Sequence, residues 1–450
     1  MVPVESSMND GVKQSNPMAT THISQKIIAR YVLLSVIIFV LIAAAIFAWP
    51  QTSRPFDSSP DASTAVAANT AFAIDLYQEL KTQPGNLFFS PYSISSALAM
   101  TYAGARGQTE SEMTKVLHFD PGQTNVHAGF HALTYRINDL QRWNRIKLLT
   151  ANSLWCQQDY RFKDTFLNLV KRDYHAEARP VDFEKAPDFA RSQINRWVSQ
   201  KTDGKIQNIM APGSVSPETR LVLCNAIYFK GKWQAQFKTR DTRPAAFYVS
   251  SNETVTVPMM SLDAYFKRAY IDDASVGLLE LPYVGNDLSM VILLPGNAMG
   301  PGPGEMSEMK QASLSDLEEK LTPENLHSWL ALLDRAASEK ESISLPRFTT
   351  TQSFDLTENL KAMGMPSAFG DTADLSGMDG TRGLYLSSVL HKAFVQVDES
   401  GMEAAAATAV TVIASVVAQP FVVDHPFIFL IRDNGSGTIL FMGRIVDPTK

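Results

Sequence analysis

Residues 221–237 read LVLCNAIYFKGKWQAQF, and this stretch decides the fold class. Its first part, Leu221–Phe229, is an apolar run rich in Val, Ile, Tyr and Phe. Such a run is typical of a strand covered on both faces, because a half-exposed strand alternates apolar and polar residues. The segment therefore predicts a central strand of a large sheet.

The elements around this strand are distributed unevenly, because most helical patterns precede it and most strand patterns follow it, with the helices Leu314–Lys320 and Pro323–Leu333 as later exceptions. The predicted helices are Asn69–Leu80, Ile94–Ala103, Gln108–Leu117, Gly129–Trp143, Phe162–Asp173 and Ala186–Lys201. The later predicted strands include Ala245–Val249, Thr254–Met259, Phe266–Ile271, Val276–Pro282, Leu288–Leu294, Val389–Val397, Ile428–Arg432 and Ile439–Val446. This order predicts an α+β domain built on large mixed or antiparallel sheets.

The N-terminal part has a different character. Tyr31–Pro50 reads YVLLSVIIFVLIAAAIFAWP, which is apolar over a length that matches a bilayer core. Lys26 and Arg30 precede it, so the positive-inside rule predicts a cytoplasmic N-terminus and an extracellular or periplasmic domain at the cell membrane. A cleaved signal peptide is the alternative, and it would make the protein secreted. The predicted division is a disordered tail (1–26), a transmembrane signal-anchor (27–50), a linker (51–68) and a folded domain (69–450).

Composition and motifs argue against several classes of function. The net charge of −6 supplies no basic surface for nucleic acid. The chain has no GxSxG, HExxH, P-loop or CxxC motif, so neither an enzyme nor a cofactor is expected. His127 and His131 could share a helix face as metal ligands, but no third ligand is apparent nearby and no metal site is expected. The two cysteines, Cys156 and Cys224, are compatible with buried free thiols or with one bridge between neighbouring strands.

One unusual segment lies near the C-terminus. Residues 397–420 read VDESGMEAAAATAVTVIASVVAQP, with small residues first and β-prone residues afterwards. In an extended conformation one face carries only uncharged residues, whereas the other carries Glu403. The stretch from Met402 to Ser415 would span about 46 Å at 3.3 Å per residue. An ordinary buried strand pair is one interpretation, and a segment exposed in one state that becomes a strand in another is the second.

Several motifs, taken in order, resemble those of one known family. They are Asn86–Met113, Thr202–Ile209, Leu221–Phe237, Glu280–Tyr283, Leu345–Phe348, His391–Lys392, Glu399–Thr408 and Pro426–Leu430. Across about residues 65–450 the chain resembles the serpins, which inhibit serine proteases. The resemblance implies a monomeric α+β serpin fold with three β-sheets, eight or nine helices and an exposed reactive loop.

The resemblance also implies a mechanism and a set of site residues. In serpins a protease attacks the loop as bait, forms an acyl-enzyme and is trapped when the cleaved loop inserts into the central sheet. The implied hinge of the loop consists of Glu399, Gly401, Met402, Glu403, Ala404, Ala405, Ala406, Ala407 and Thr408. The polar cluster under the sheet opening, called the shutter, would consist of Ser90, Ser93, Asn225 and His391, and the entry point, called the breach, of Lys230, Gly231 and Trp233. A static hydrogen-bond network and plain core packing are the respective alternatives.

The loop length that is usual in the family implies the position of the reactive bond, and the residues there imply the class of target protease. It places the reactive bond at Ser415–Val416, with Ala414–Ser415 as the nearest alternative. Small uncharged residues there fit the shallow pocket of elastase-like or subtilisin-like proteases, and the absence of Arg and Lys argues against a trypsin-like target. Met402 stands where inhibitory members usually carry Thr or Ser, which leaves a non-inhibitory binding or chaperone protein as the second hypothesis.

Overall fold

The apolar run that decides the fold class forms a strand in the middle of a sheet, as predicted. The computed structural model describes residues 56, 59–119, 122–141, 146–296, 313–399 and 419–450. Its strands are β1 (Leu87–Phe89), β2 (Ile146–Gln157), β3 (Glu177–Val181), β4 (Leu221–Gly231), β5 (Arg243–Ser250), β6 (Glu253–Ile271), β7 (Val276–Pro282), β8 (Leu288–Pro295), β9 (Ser338–Pro346), β10 (Phe348–Asp355), β11 (Leu386–Val397), β12 (Phe421–Val422), β13 (Phe427–Asp433) and β14 (Ile439–Ile445).

The five-stranded sheet has the order β10-β11-β4-β2-β3. Strand β4 lies in its centre, antiparallel to β2 and parallel to β11. All but the last two residues of β4 are buried. Burial on both faces explains why the run shows no period of two.

The nine-stranded sheet has the order β1-β14-β13-β8-β7-β6-β9-β12, and β5 pairs with β6 outside this path. The described strands therefore form two hydrogen-bonded sheets, where the family resemblance implied three. The reason is the length of β6, whose 19 residues pair with β5 at one end, with β9 along the middle and with β7 at the other end. Two sheets that would otherwise be separate are thus continuous through one strand.

The described part of the chain contains ten α-helices. They are α1 (Pro60–Leu80), α2 (Pro91–Tyr102), α3 (Gly107–Val116), α4 (Gln123–Leu140), α5 (Asp164–Tyr174), α6 (Pro187–Lys201), α7 (Leu314–Lys320), α8 (Pro323–Arg335), α9 (Thr357–Met363) and α10 (Ser376–Asp379). Their number is close to the eight or nine implied, and the short helices α9 and α10 lie where the sequence predicted no helix.

Helix α1 begins earlier than the predicted Asn69, inside the segment predicted to be a linker. The side chain of Ser59 accepts a hydrogen bond from the backbone N–H of Ala62 at 3.3 Å, and Pro60 occupies the first helical position. Both features favour helix initiation at this point. The buried alanines Ala62, Ala65 and Ala68 provide the apolar face.

Helix α6 covers the outer face of the five-stranded sheet. Ile194, Trp197 and Val198 of α6 pack in one apolar cluster with β4 residues, among them Val222 and Cys224. The same cluster includes Leu390 of β11 and Trp155 of β2, whose ring packs edge-on against Trp197 of α6 with the centroids 5.6 Å apart. The opposite face of the sheet contributes to the main core.

The structure also bears on the cysteines and on the membrane prediction. Cys156 and Cys224 are both free and buried, so no bridge joins them.

The prediction of localisation at the cell membrane, with an extracellular or periplasmic domain, is wrong. Among the described residues no helix is long and apolar enough to cross a bilayer. The segment predicted as an anchor (27–50) and the predicted tail (1–26) lie outside the described residues.

Candidate functional site

The seam between β4 and β11 is the central feature of the five-stranded sheet. The two strands are parallel and hydrogen-bonded to each other from Leu221 opposite Leu386 to Phe229 opposite Val395. Strand β11 ends at Val397, just before the segment that holds the predicted reactive loop. The seam is therefore a closed interface between parallel strands whose upper end adjoins that loop.

The four predicted shutter residues lie together beneath the seam. His391 of β11 is paired in register with Asn225 of β4, and their side chains join with Nδ1 of the histidine 2.5 Å from Oδ1 of the asparagine. Nε2 of His391 accepts the backbone N–H of Ser90 at 3.1 Å. Because Nε2 accepts, Nδ1 carries the proton and donates it to Asn225.

The asparagine amide connects this pair to helix α2. Nδ2 of Asn225 lies 2.9 Å from the backbone oxygen of Ser93 and 2.5 Å from its Oγ. Oγ of Ser90 donates to the backbone oxygen of Leu440 at 2.6 Å and accepts the N–H of Ser93 at 3.2 Å, which caps α2. The network thus joins α2, both strands of the seam and the second sheet.

The sequence reasoning missed one member of the network. Oδ1 of Asn152 in β2 lies 2.5 Å from Nδ2 of Asn225, and the two asparagines are direct partners in the β2–β4 register. Its only sequence signal was a polar residue inside a strand-like segment. That signal becomes specific only when the register places Asn152 opposite Asn225.

Burial keeps the shutter histidine neutral. His391 is fully buried, and desolvation lowers its pKa from 6.5 to about 3. The ring of Phe354 stacks against it with the centroids 6.4 Å apart. A neutral imidazole with one donor and one acceptor nitrogen matches the two partners that the structure provides.

The predicted breach residues lie at the upper end of the seam. Nζ of Lys230 pairs with the carboxylate of Asp398 at 3.2 Å, and the indole N–H of Trp233 donates to the backbone oxygen of Asp398 at 3.0 Å. Trp233 stacks on Tyr283 with ring centroids 4.6 Å apart. A Cβ at Gly231 would approach that tyrosine ring more closely than real Cβ atoms do, so glycine permits the contact.

The first residue of the predicted hinge is bound by Thr242, just before β5, and by Arg347, between β9 and β10. Glu399 has an exposed fraction of only 9%. Oε1 accepts a hydrogen bond from Oγ1 of Thr242 at 2.7 Å, and Oε2 lies 3.6 Å from Nη1 of Arg347. Thr242 and Arg347 were not predicted, because they contact Glu399 only after segments distant in sequence have packed together. Asp398, which directly precedes Glu399, was not predicted either.

Several predicted residues lie outside the described part of the chain. These are the hinge residues Gly401, Met402, Glu403, Ala404, Ala405, Ala406, Ala407 and Thr408, and the reactive bond Ser415–Val416. Their roles stay predictions.

The histidine pair on α4 meets other partners. Nδ1 of His127 lies 2.6 Å from the hydroxyl of Tyr174, and Nδ1 of His131 lies 3.4 Å from the carboxylate of Asp173. Burial lowers the pKa of His127 from 6.5 to about 4. Within the described ranges no group of three or more His, Cys, Asp or Glu side chains is arranged to hold a metal ion.

Comparison with known proteins gives one consistent family. Residues 67–448 match the family model described as Serpin (serine protease inhibitor). The chain is 45% identical over 386 residues to the leukocyte elastase inhibitor of Bos taurus, a match that covers 85% of this chain and 99% of that protein. It is 42% identical over 387 residues to the leukocyte elastase inhibitor of Homo sapiens, with the same two coverages.

Solved structures agree with this result. Uncleaved ovalbumin superimposes with a TM-score of 0.77 at 33% identity, covering 86% of this chain and 100% of that one. A highly specific serpin from the insect Tenebrio molitor gives a TM-score of 0.72 at 33% identity, covering 87% and 100%.

Proposed function

Since this chain belongs to the serpin family of serine protease inhibitors, we propose that it inhibits an elastase-like serine protease by covalent trapping. The protease cleaves the reactive loop as if it were a substrate. The loop then enters the five-stranded sheet before the acyl-enzyme is hydrolysed, and the protease is carried along while still attached.

The observation that carries this proposal is the parallel pairing of β4 with β11. A chain that turns back after β11 runs antiparallel to β11, and therefore antiparallel to β4 as well. A strand inserted in the seam would replace one parallel ladder by two antiparallel ladders. Antiparallel pairing is slightly more stable per residue, so insertion gains hydrogen bonds of the more favourable kind.

The shutter and the breach hold the seam closed until that exchange occurs. The bond between His391 and Asn225 crosses the seam and must break when the strands part. Trp233 and Lys230 bind Asp398 at the end where the loop would enter. These contacts are local and few, so breaking them creates a free-energy barrier at the entry point. The hydrogen bonds gained on insertion, in contrast, accumulate along the whole strand.

The bait chemistry follows the general scheme for acyl transfer. The catalytic serine Oγ of the protease attacks the carbonyl carbon of Ser415 and forms an ester. The peptide bond to Val416 breaks, and its nitrogen takes up a proton and leaves as a new amino terminus. Two facts support an elastase-like target: the small residues Ala414 and Ser415 fit a shallow specificity pocket, and relatives are named leukocyte elastase inhibitors.

The test uses the full chain with pancreatic elastase and, separately, with subtilisin. A covalent band near the summed masses on a denaturing gel, with cleavage mapped to Ser415–Val416, is the expected result. Ser415→Arg should shift complex formation from elastase to trypsin, because arginine fits the acidic trypsin pocket and not a shallow one. Cleavage without any covalent band would contradict trapping by the parent protein.

A substitution at Met402 distinguishes an inhibitor whose loop inserts slowly from a protein that does not inhibit. If cleavage occurs without a band, Met402→Thr provides the second measurement, because Thr is the residue usual at this hinge position. A band with the variant would identify Met402 as the cause of slow insertion. Cleavage of both proteins without a band would favour the alternative of a binding or chaperone protein with a serpin fold.

A further inference from the structure

A cleft opens next to Asp398 and Glu399, at the base of the predicted reactive loop. Its volume is about 1230 Å³. Its walls come from the segment after β4, from the start of β10 and from the end of β11, and they include Lys238, Arg240, Arg347, Thr349, Gln396 and Glu399. The volume is ample for a small multivalent ligand.

The cleft already holds one carboxylate, which belongs to the chain itself. Glu399 is nine-tenths buried in its wall, where it accepts from Thr242 at 2.7 Å and pairs with Arg347 at 3.6 Å. The distance to Arg347 exceeds that of a direct hydrogen bond. A carboxylate that reached the guanidinium directly, with bidentate geometry, would be held more strongly than Glu399 is.

Two further cations on the same wall are available to a ligand. Lys238 and Arg240 are exposed, and the nearest carboxylate to Arg240 is that of Asp241 at 3.9 Å. Asp398, the other acid on the wall, pairs with Lys230 at 3.2 Å. The cleft therefore combines three cationic side chains with one acid, Glu399, that a ligand can displace from its arginine.

We propose that this cleft binds a di- or tricarboxylate, or a small ligand with an equivalent set of oxyanions, and that binding loosens the base of the reactive loop. One oxyanion of the ligand binds Arg347 in place of Glu399, and the others bind Lys238 and Arg240. Glu399 then keeps only the hydrogen bond from Thr242.

The consequence for inhibition rests on the function proposed above. Glu399 is the first residue of the predicted hinge, so its release from Arg347 removes one of the side-chain contacts that hold the base of the loop. The ligand prefers the state in which Arg347 is free, and by linkage it shifts the population towards that state. Insertion then competes better with hydrolysis of the acyl-enzyme, so a larger fraction of encounters ends in a covalent complex.

Binding is measured first, without any protease, by titrating citrate into the full chain in a calorimeter at low ionic strength. Arg347→Gln should weaken citrate binding roughly tenfold, the usual loss when a charged hydrogen-bond partner is removed. Glu399→Gln should strengthen it, because the neutral amide competes poorly for the arginine. The matched controls are Arg382→Gln and Glu358→Gln, which change an exposed arginine and an exposed glutamate elsewhere and should leave the affinity unchanged.

A second arm replaces citrate by inorganic sulfate. Competition between the two at Arg347 would show that the cleft recognises oxyanions in general, and binding of citrate alone would restrict the ligand to carboxylates. Equal affinities of the parent protein, Arg347→Gln and Glu399→Gln for citrate would overturn the proposed site.

The functional arm measures the number of inhibitor molecules consumed per protease trapped, with and without citrate. Citrate should lower this number for the parent protein and have no effect on Glu399→Gln, in which the contact is already lost. Binding without this change would overturn the coupling to the hinge. Because calorimetry involves no protease, a failure to form covalent complexes would count against the proposed function and leave the binding result intact.

Discussion

His391 and Asn225 face each other across the seam between β11 and β4, with Nδ1 of the histidine 2.5 Å from Oδ1 of the asparagine. Both side chains are buried, and each has its remaining polar atoms bound to α2 or β2. A buried network in which every member is satisfied specifies one arrangement of its elements, since any other arrangement leaves polar groups unpaired. This pair therefore fixes the register in which the closed sheet is held.

Replacing the asparagine should destabilise the closed sheet. Asn225→Ala leaves the Nδ1–H of His391 without its acceptor, and Oδ1 of Asn152 keeps only the longer contact to Oγ of Ser93 at 3.4 Å. The expected cost is about 1–3 kcal/mol, because buried donors and acceptors lose their hydrogen bonds without regaining water. Urea unfolding measures it, with Asn138→Ala as control, since Asn138 is exposed and its change should cost under about 0.5 kcal/mol. Equal effects of the two substitutions would show that the network contributes no stability.

The two buried histidines predict how stability depends on pH. Burial lowers the pKa of His391 to about 3 and that of His127 to about 4. Between about pH 6.5 and these values the unfolded chain binds protons that the folded chain does not, so stability falls as the pH falls. Each histidine contributes a slope of about 1.4 kcal/mol per pH unit across its window.

Unfolding free energies between pH 7 and pH 4.5 test this dependence. His391→Gln should be less stable at pH 7, because one amide cannot replace both imidazole contacts. Its unfolding free energy should nevertheless decline less steeply with falling pH, by the slope that corresponds to the uptake of about one proton. The pKa of His425 is shifted in the opposite direction. Burial alone would lower this pKa, but the hydrogen bonds to Asp424 and to the backbone oxygen of Pro295 outweigh burial, so the pKa is raised. A slope unchanged in His391→Gln would mean that His391 does not titrate in this window.

Gly231 should tolerate no larger residue. Gly231→Ala places a methyl group against the ring of Tyr283, which is itself stacked on Trp233. Overpacking of this kind costs about 1–3 kcal/mol, because the stacked rings must shift together. Gly370→Ala is the matched control, since no atom lies within 4 Å of a Cβ there and its φ of −162° suits any residue. In thermal unfolding, the melting temperature of Gly231→Ala should lie clearly below that of Gly370→Ala. Matching melting temperatures would contradict the predicted clash.

The faces of the inserted loop can be distinguished by a charge scan. Even-numbered positions from Met402 to Ala414 carry no charge, and we expect this face to be buried on insertion. Ala406→Glu should therefore convert the inhibitor into a substrate, because burying an unpaired carboxylate is costly. Ala405→Glu, on the face that already carries Glu403, should still form covalent complexes with elastase. Complex formation by both variants, or the reverse preference, would contradict this assignment of faces.

The sequence predicted some elements better than others for physical reasons. Burial on both faces makes β4 recognisable from its composition alone, and Asn434–Gly437 lies at the turn between β13 and β14, as its residues indicate. The start of α1 was misplaced because its alanines are ambiguous until packing buries them. Glu399 was predicted as a hinge residue, but Thr242 and Arg347, more than fifty residues away in sequence, could be found only through the structure.

By itself the sequence determined the central strand, the α+β class and the uncharged face of the segment 402–414, and its resemblance to the serpins implied which residues form the shutter. These depend on local composition and on ordered motifs, which are readable along one chain. Only the tertiary structure decided that β4 and β11 are parallel neighbours, that Asn152 joins the shutter and that Glu399 lies in a cationic cleft. Those facts depend on strand register and on contacts between distant segments, which are determined by packing of the whole core.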